Sequence, residues 1–191
     1  PSSIAAGYQA NCAITVEVAV PVTDWRWLAD YLQVEVDLAA VLNSFPDDQP
    51  MRAAVIACRG LRLLRQDPWE CLASFILSST KQIVQIQQIV ALLCERFGEP
   101  VAVSACCWHP AGSSDVPLER NQPAICAFPS VQRIASLSEA DLRACKMGFR
   151  APYLRGTAQM LANGEISLQE LSRMSCEQAR AELLRLPGVG R

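Results

Sequence analysis

Leu186-Pro187-Gly188-Val189-Gly190, close to the end of the 191-residue chain, closes an amphipathic helical segment with a proline and two glycines. A Gly-x-Gly turn of this kind exposes backbone N–H groups that bind anions, and the dipole of a helix that follows the turn adds to that attraction. We therefore expect the amides of Gly188, Val189 and Gly190 to bind a phosphate.

A turn of this sequence between two helices is typical of the helix-hairpin-helix, which holds a nucleic-acid backbone without reading its sequence. Only Arg191 follows the turn, and the chain begins at Pro1 rather than at a methionine. We expect that the chain is a piece of a longer protein and that the second helix of the hairpin lies beyond Arg191.

The composition is that of a folded chain, because 51% of the residues are hydrophobic. This is enough material for a core in one or two domains. The unbroken apolar stretches are too short to span a bilayer. The segment Pro1–Ala6 has neither the basic region nor the long apolar region of a secretory signal. We expect no membrane association.

The charge is unevenly distributed although the net charge is only −2. Residues 1–57 carry two basic and seven acidic side chains, residues 58–143 carry eight of each, and residues 144–191 carry seven basic and four acidic side chains. The basic excess lies in the same segment as the glycine turn, as a phosphate-binding surface requires. Chance variation of surface charge is the alternative explanation.

The nine cysteines include no Cys-x-x-Cys pair. An odd number without ordered spacing, in a chain without a secretory signal, indicates reduced thiols in an intracellular protein. The one cluster with a histidine is Cys106-Cys107-Trp108-His109, and adjacent cysteines rarely bind one zinc ion together. We expect no metal and no cofactor, and we interpret His109 as a surface residue rather than a catalytic one.

The first 22 residues contain the one segment with the pattern of a strand. Ile14, Val16, Val18 and Val20 alternate with other residues until Pro21, which predicts a half-buried strand. Because one strand cannot pair with itself, we expect residues 1–22 to be the remnant of a β-structured domain.

Residues 23–98 are predicted to form a first helical part. Helices are expected to start at Asp24, Asp37 and Pro50, and the clearest start is Asp67-Pro68-Trp69-Glu70. There Asp67 is the N-cap, the proline occupies a position that needs no N–H, and the glutamate sits at N3.

The helix after this start is apolar on nearly all sides up to Leu77, which predicts a central buried helix. A polar turn that begins at Ser78 leads to a second helix that ends at Gly98. The residues of that second helix predicted to face inward are Ile83, Ile86, Val90, Leu93 and Phe97.

Residues 99–129 contain five prolines and no sustained periodicity, which predicts a connecting loop. Residues 130–191 are predicted to form a second helical part that ends in the truncated helix-hairpin-helix. Its helices are expected at 131–135, at 138–145 with Asp141 in a capping box, from about 150 to 162, and from Ser175 with Gln178 at N3. The fold class is therefore α+β, with α-helix predominant.

From Asp24 to Arg191 the chain resembles the 8-oxoguanine DNA glycosylases of the helix-hairpin-helix glycosylase superfamily. The blocks that carry the resemblance are 60–72 (GLRLLRQDPWECL), Ser78-Ser79, 148–153 (GFRAPY) and the final Leu-Pro-Gly-Val-Gly. The resemblance implies an N-terminal antiparallel β-domain packed on a helical domain. It also implies that duplex DNA lies in a cleft and that the damaged guanine is flipped out of the base stack into a pocket.

The resemblance further implies which side chains fill the gap in the duplex. Phe149 would wedge beside the estranged cytosine, and Arg150 would donate hydrogen bonds to that base. The alternative is that Phe149 belongs to the core and Arg150 is a solvated residue at a helix start. Thr80 and Gln85 stand where the family has an asparagine and an arginine, and Gln lacks the charged planar fork of Arg. Strict recognition of cytosine opposite the lesion is therefore in doubt.

In the family, a lysine immediately after the position of Arg191 attacks the sugar C1′ and a more distant aspartate assists. The resulting Schiff base lets the same enzyme cleave the strand at the abasic site. No catalytic residue of this set falls within the 191 positions, so we expect this fragment to be inactive and the intact protein to be a bifunctional glycosylase and abasic-site lyase. We expect it to act as a monomer on duplex DNA that contains oxidised guanine, with the genome in the cytoplasm of a prokaryote or the nucleus of a eukaryote.

Three other functions remain open. A glycosylase for alkylated bases would lack the lysine, and a non-catalytic helix-hairpin-helix module would bind DNA without regard to base damage. A helical scaffold with no role in nucleic-acid binding would show no increase in DNA affinity as the salt concentration falls.

Overall fold

The computed structural model describes residues 22–79, 81–101 and 125–190, and within these ranges the regular secondary structure is almost entirely helical. The α-helices are α1 (Arg26–Leu32), α2 (Leu38–Asn43), α3 (Gln49–Ala57), α4 (Pro68–Ser78), α5 (Ile83–Phe97), α6 (Val131–Ser136), α7 (Glu139–Ala144), α8 (Ala151–Ala162), α9 (Leu168–Leu171) and α10 (Cys176–Leu183). The predicted helical predominance is confirmed. The predicted strand at Ile14–Val20 and the loop residue His109 lie outside the described residues.

The helix starts at Asp37 and Asp67 are confirmed, because each carboxylate accepts hydrogen bonds from amides of the first helical turn. Asp67 Oδ1 accepts from the amides of Trp69 at 2.9 Å and Glu70 at 3.0 Å. Asp37 Oδ1 accepts in the same way from the amide of Ala39 at 2.9 Å. These local bonds satisfy N–H groups that the helix itself cannot pair.

The two predicted capping boxes are also present. The amide of Ser138 donates to Asp141 Oδ2 at 3.0 Å, and the amide of Asp141 donates to Ser138 Oγ at 3.1 Å. Ser175 and Gln178 exchange the same two bonds at the start of α10. Both starts follow from residues three apart in the sequence.

Helices α4 to α8 enclose one hydrophobic core. Its fully buried members on α4 and α5 are Ala73, Ile76, Leu77, Ile89 and Leu93, and those on α6 to α8 are Ile134, Leu142, Ala151, Leu154 and Ala158. The indole N–H of Trp69 on α4 donates to the carbonyl of Pro129, just before α6, at 2.9 Å. The first and second helical parts therefore share a core.

The inward face of α5 is largely the predicted one, since Leu93 is buried and Val90 and Phe97 pack against the core, but Ile83 at its start does not belong to it. The side chain of Ile83 is 75% exposed, and the buried residues of this helix are Ile89 and Leu93. The amphipathic pattern therefore identifies the helix and most of its buried face, and it misses Ile89.

The two ends of the predicted 99–129 loop lie side by side. An antiparallel bridge joins Pro100 to Cys126, and the amide of Val101 donates to the carbonyl of Ile125 at 2.7 Å. A side chain at Gly98 would collide with the backbone carbonyl of Ala127, so this close approach requires glycine. The chain thus leaves α5 and returns toward α6 at one place.

Helices α1 to α3 form a more open region. Among the described residues, none within these three helices is buried. They surround an apolar cavity of about 440 Å³, which Val36, Leu42, Phe45, Val55 and Leu61 help to line. Arg62 donates from Nη1 to the carbonyls of Gln33 at 2.7 Å and Val36 at 2.8 Å, and so ties the segment before α4 to the end of α1. In the described ranges, no helix combines the length and the apolar character needed to cross a lipid bilayer.

Candidate nucleic-acid interface

The glycine turn after α10 is fixed to α8 by contacts on both of its sides. Leu186 is buried in the core. The hydroxyl of Thr157 on α8 donates to the carbonyl of Pro187 at 2.9 Å. A Cβ at Gly156 would lie 3.2 Å from Cγ of Pro187, so the small residue lets the turn approach the helix closely.

Gly188 sits in a socket between α4 and α8. Its φ of +83° belongs to the left-handed region that glycine adopts readily. A Cβ built at this position would lie 2.9 Å from Cβ of Tyr153 and 3.2 Å from Cγ2 of Ile76. Both the backbone conformation and the available space therefore require glycine here.

The turn uses one of the three amides that the sequence assigns to phosphate binding. The amide of Val189 donates to the carbonyl of Leu186 at 3.2 Å. Within the described ranges, the amides of Gly188 and Gly190 donate to no backbone carbonyl, and both glycines are exposed. Because the Val189 amide closes the turn, we now expect the phosphate contact from the amides of Gly188 and Gly190. The contact itself stays a prediction.

Phe149 is presented to solvent at the start of α8. It lies in a 3-10 turn, Gly148–Arg150, that leads directly into the helix. Its side chain is 59% exposed, whereas Arg150 is only 1% exposed. The alternative in which Phe149 is core and Arg150 is solvated is therefore wrong.

The Phe149 ring is held by two neighbours. The Arg150 guanidinium carbon lies 4.4 Å from the ring centroid, as in a cation–π contact. The ring of Tyr153 meets it edge to face, with centroids 6.4 Å apart and an angle of 82° between the planes. An exposed aromatic ring supported from beneath and from one side has the form of a wedge.

The buried position of Arg150 bears on its predicted contact with the opposite base. In this structure its guanidinium supports Phe149 from beneath rather than projecting into solvent. A direct hydrogen bond to an estranged cytosine would require the side chain to move outward. That contact stays a prediction.

Of the two remaining predicted base contacts, Gln85 is exposed at the start of α5. Its Oε1 accepts from the amide of Gln82 at 3.1 Å. In this structure the side-chain oxygen of Gln85 therefore caps the start of α5. Thr80 lies outside the described residues.

The ionisable groups of the core are suited to packing rather than to chemistry. Burial raises the pKa of the thiols of Cys94 and Cys145 above the ordinary value of 9.0, which keeps them protonated and unreactive. Among the described residues, no group of three His, Cys, Asp or Glu side chains is arranged to hold a metal ion. The described residues of the wedge and the turn offer an aromatic ring and backbone amides, which are groups that can contact a nucleic acid.

The sequence-based predictions include no role for the residues that support the turn and the wedge, which are Ile76, Tyr153, Gly156 and Thr157. A signal for one of them is present, because Tyr153 is four residues after Phe149 and so falls on the same side of a helix. No local pattern indicates the other three, since their contacts with the turn cross about 30 residues or more of sequence.

Comparison with known proteins gives a consistent result. The family model for the 8-oxoguanine DNA glycosylase N-terminal domain matches residues 19–72. The N-glycosylase/DNA lyase OGG1 of Arabidopsis thaliana is 32% identical over 195 residues, which covers 100% of this chain and 47% of that protein.

A solved structure and a more distant relative extend the comparison. The 8-oxoguanine glycosylase/lyase of Clostridium acetobutylicum, in complex with duplex DNA containing cytosine opposite 8-oxoguanine, superimposes with a TM-score of 0.69 at 28% identity, over 85% of this chain and 50% of that one. A DNA-3-methyladenine glycosylase of Bacillus subtilis is 23% identical over 178 residues, covering 89% of this chain and 53% of that protein. The chain spans about half the length of the relatives that it matches.

Proposed function

The chain belongs to the 8-oxoguanine DNA glycosylase family over the half of those proteins that it spans, and on that premise we propose that the whole protein is a base-excision repair enzyme. It removes 8-oxoguanine from damaged duplex DNA as an N-glycosylase and cleaves the strand at the abasic site as a lyase. The 191 residues supply the groups proposed to bind the DNA backbone and to fill the gap, and the resemblance implies a nucleophilic lysine that is not among them.

The exposed Phe149 ring is the observation that carries this proposal. An apolar ring that is 59% exposed costs hydration free energy in the free protein. Inserted into a duplex, it replaces the stacking that the flipped base has lost, which is worth about 1–3 kcal/mol per base. An exposed aromatic wedge beside a phosphate-binding turn suits a protein that takes a base out of the stack and fills the gap.

The turn at Gly188 supplies the second contact. Its exposed amides can donate to phosphate oxygens without reading the bases. Because the turn and α8 are packed together, a strand held at the turn is also held close to the wedge. Binding through phosphates predicts an affinity that falls as the salt concentration rises.

We propose that this protein differs from other members of the family in how it recognises the base opposite the lesion. Gln85 can form hydrogen bonds but lacks the charge and fork of arginine. In the free protein the guanidinium of Arg150 packs against the ring of Phe149. We therefore expect the whole protein to discriminate less strictly between cytosine and adenine opposite 8-oxoguanine than a family member with arginine at position 85, and Gln85→Arg to restore the preference for cytosine.

Borohydride trapping tests the enzyme class directly. A lysine that displaces the base leaves a Schiff base on C1′ of the sugar, and borohydride reduces it to a stable amine that joins protein to DNA. The whole protein should form this complex with a duplex containing 8-oxoguanine and not with an undamaged duplex. Absence of a trapped complex on active protein would contradict the lyase assignment.

The wedge is tested separately by binding. Phe149→Ala should weaken binding to a duplex with an abasic-site analogue by about tenfold, since one stacking contact is lost, and should change binding to intact duplex much less. Phe45→Ala is the matched control, because that phenylalanine is also exposed but lies in the α1–α3 region. Equal losses on both duplexes would contradict a wedge.

A glycosylase for alkylated bases is the second candidate, supported by the similarity to the Bacillus subtilis DNA-3-methyladenine glycosylase. It predicts release of a methylated base, no release of 8-oxoguanine and no trapped complex. We further propose that the protein acts as a monomer with the genome, in the cytoplasm of a prokaryote or the nucleus of a eukaryote.

A further inference from the structure

Tyr153 contacts both of the features that are proposed to touch DNA. On one side its ring meets Phe149 edge to face, with centroids 6.4 Å apart. On the other side its Cβ lies 2.9 Å from the place where a Cβ of Gly188 would stand. Tyr153 is on α8, whose neighbouring residues Ala151 and Leu154 are completely buried in the core.

We propose that Tyr153 is a positioning residue, which holds the Phe149 wedge at a fixed place relative to the phosphate-binding turn at Gly188. The inference rests on the proposed function and deepens it. Tyr153 need not touch the DNA itself, since it acts through the residues on its two sides.

The need for such a residue follows from the exposure of Phe149. The wedge projects from a short 3-10 turn and is 59% exposed, so its few neighbours must limit the rotamer freedom of the ring. The edge of the Tyr153 ring restricts that freedom before DNA binds. The entropy cost of ordering the Phe149 ring is then already present in the free protein and does not reduce the affinity for DNA.

The turn is positioned by the same side chain. Gly188 packs directly on Cβ and Cγ of Tyr153 because it has no side chain. A phosphate held by the turn and a base gap filled by Phe149 are therefore set a constant distance apart by one residue. This spacing selects the nucleotide step at which the wedge enters.

The test measures a ratio of affinities in the whole protein: the affinity for a duplex with an abasic-site analogue opposite cytosine divided by that for the intact duplex. Tyr153→Leu removes the ring edge and should lower the ratio by about threefold to tenfold, the equivalent of one lost aromatic pair. Tyr153→Phe keeps the ring and should retain the ratio to within about twofold. Tyr31→Leu is the matched control, because Tyr31 is a comparably exposed tyrosine on α1.

A second variant distinguishes positioning from general stabilisation. If Tyr153 acts through Phe149, then Tyr153→Leu should change the ratio little in a protein that already carries Phe149→Ala, so the two effects are not additive. A fluorescent cytosine analogue opposite the abasic site adds a spectroscopic readout. At saturating protein, Tyr153→Leu should shift its emission toward that of the Phe149→Ala complex.

The outcomes separate this inference from the proposed function. If Phe149→Ala itself leaves the ratio unchanged, the proposed wedge is wrong. If Phe149→Ala lowers the ratio but Tyr153→Leu does not, or if the two losses add fully, the positioning role of Tyr153 is overturned while the wedge stands.

Discussion

Helices α1–α3 and helices α4–α8 start with the same local signals but differ in what they bury. Asp37 caps α2 as Asp67 caps α4, each through its carboxylate. Yet α1–α3 contain no buried residue among those the structure describes, whereas α4–α8 enclose a shared core. Side-chain capping thus occurs in both regions, and packing decides which side chains are held in one position.

The wedge and the turn belong to the packed region. Phe149 leads into α8, and Gly188 rests on α4 and α8. A site must hold its side chains in place before the ligand binds, which requires support from a rigid core. The contrast between the two regions therefore accounts for where the candidate interface lies.

Truncation of a core leucine is expected to have the largest effect. Leu154→Ala on α8 removes a completely buried side chain, and such changes lower the free energy of unfolding by about 2–5 kcal/mol. Leu42→Ala on α2 removes a half-buried side chain and should cost about 1 kcal/mol. Urea unfolding of the whole protein measures both losses. Equal losses would show that the two regions do not differ in how tightly they are packed.

A side chain at the turn is expected to have the next largest effect. Gly188→Ala requires a residue with a Cβ at φ +83°, which costs about 1–2 kcal/mol, and in addition pushes against Tyr153 and Ile76. Gly164→Ala is the matched control, because its φ is +76° and nothing lies within 4 Å of the added Cβ.

The two variants should differ most in DNA binding. Gly188→Ala should weaken binding to damaged duplex, whereas Gly164→Ala should change only the stability. If both variants bind DNA as the unmodified protein does, the turn is not a phosphate contact.

The smallest effect concerns Glu70 at the start of α4. Burial, and to a lesser extent the charge of Asp67, raises the pKa of Glu70 above its ordinary value of 4.5. The folded protein therefore binds this proton more tightly than the unfolded chain, and stability falls as the pH rises through 4.5 and then through the raised pKa.

Glu70→Gln removes this dependence on pH. The free energy of unfolding of the variant, minus that of the unmodified protein, should increase as the pH rises from about 3 to about 7. Glu99→Gln, outside the helices, is a control for the loss of one negative charge. A variant that loses relative stability over the same range would show that Glu70 is stabilised as a carboxylate.

The sequence was sufficient to predict several helix starts, because a cap and its partner lie within three residues of each other. Two starts differ: the N-cap of α1 is Trp25 rather than Asp24, and α3 is capped by Asp48, so that Pro50 lies within its first turn. Asp67, Ser138 and Ser175 all act as the sequence predicts. The helical predominance and the family resemblance follow from patterns of the same short range, in blocks such as 60–72 and 148–153.

Contacts between distant segments were not predictable in this way. Ile83 is 75% exposed although the apolar pattern of α5 includes it, and the Val189 amide donates within the turn, to the carbonyl of Leu186. The support of Phe149 by Tyr153, and of the turn by Thr157, depends on how α8 and the turn meet in space. The hydrophobic periodicity of one segment does not show which other segments will pack against it.

A crystal structure of the whole protein bound to a duplex that contains 8-oxoguanine would show whether the turn binds the DNA backbone and whether Phe149 fills the gap. We predict that the amides of Gly188 and Gly190 lie within hydrogen-bonding distance of phosphate oxygens and that the Phe149 ring occupies the gap left by the flipped guanine. A complex in which the turn faces away from every phosphate, or in which Phe149 contacts only protein, would contradict the account.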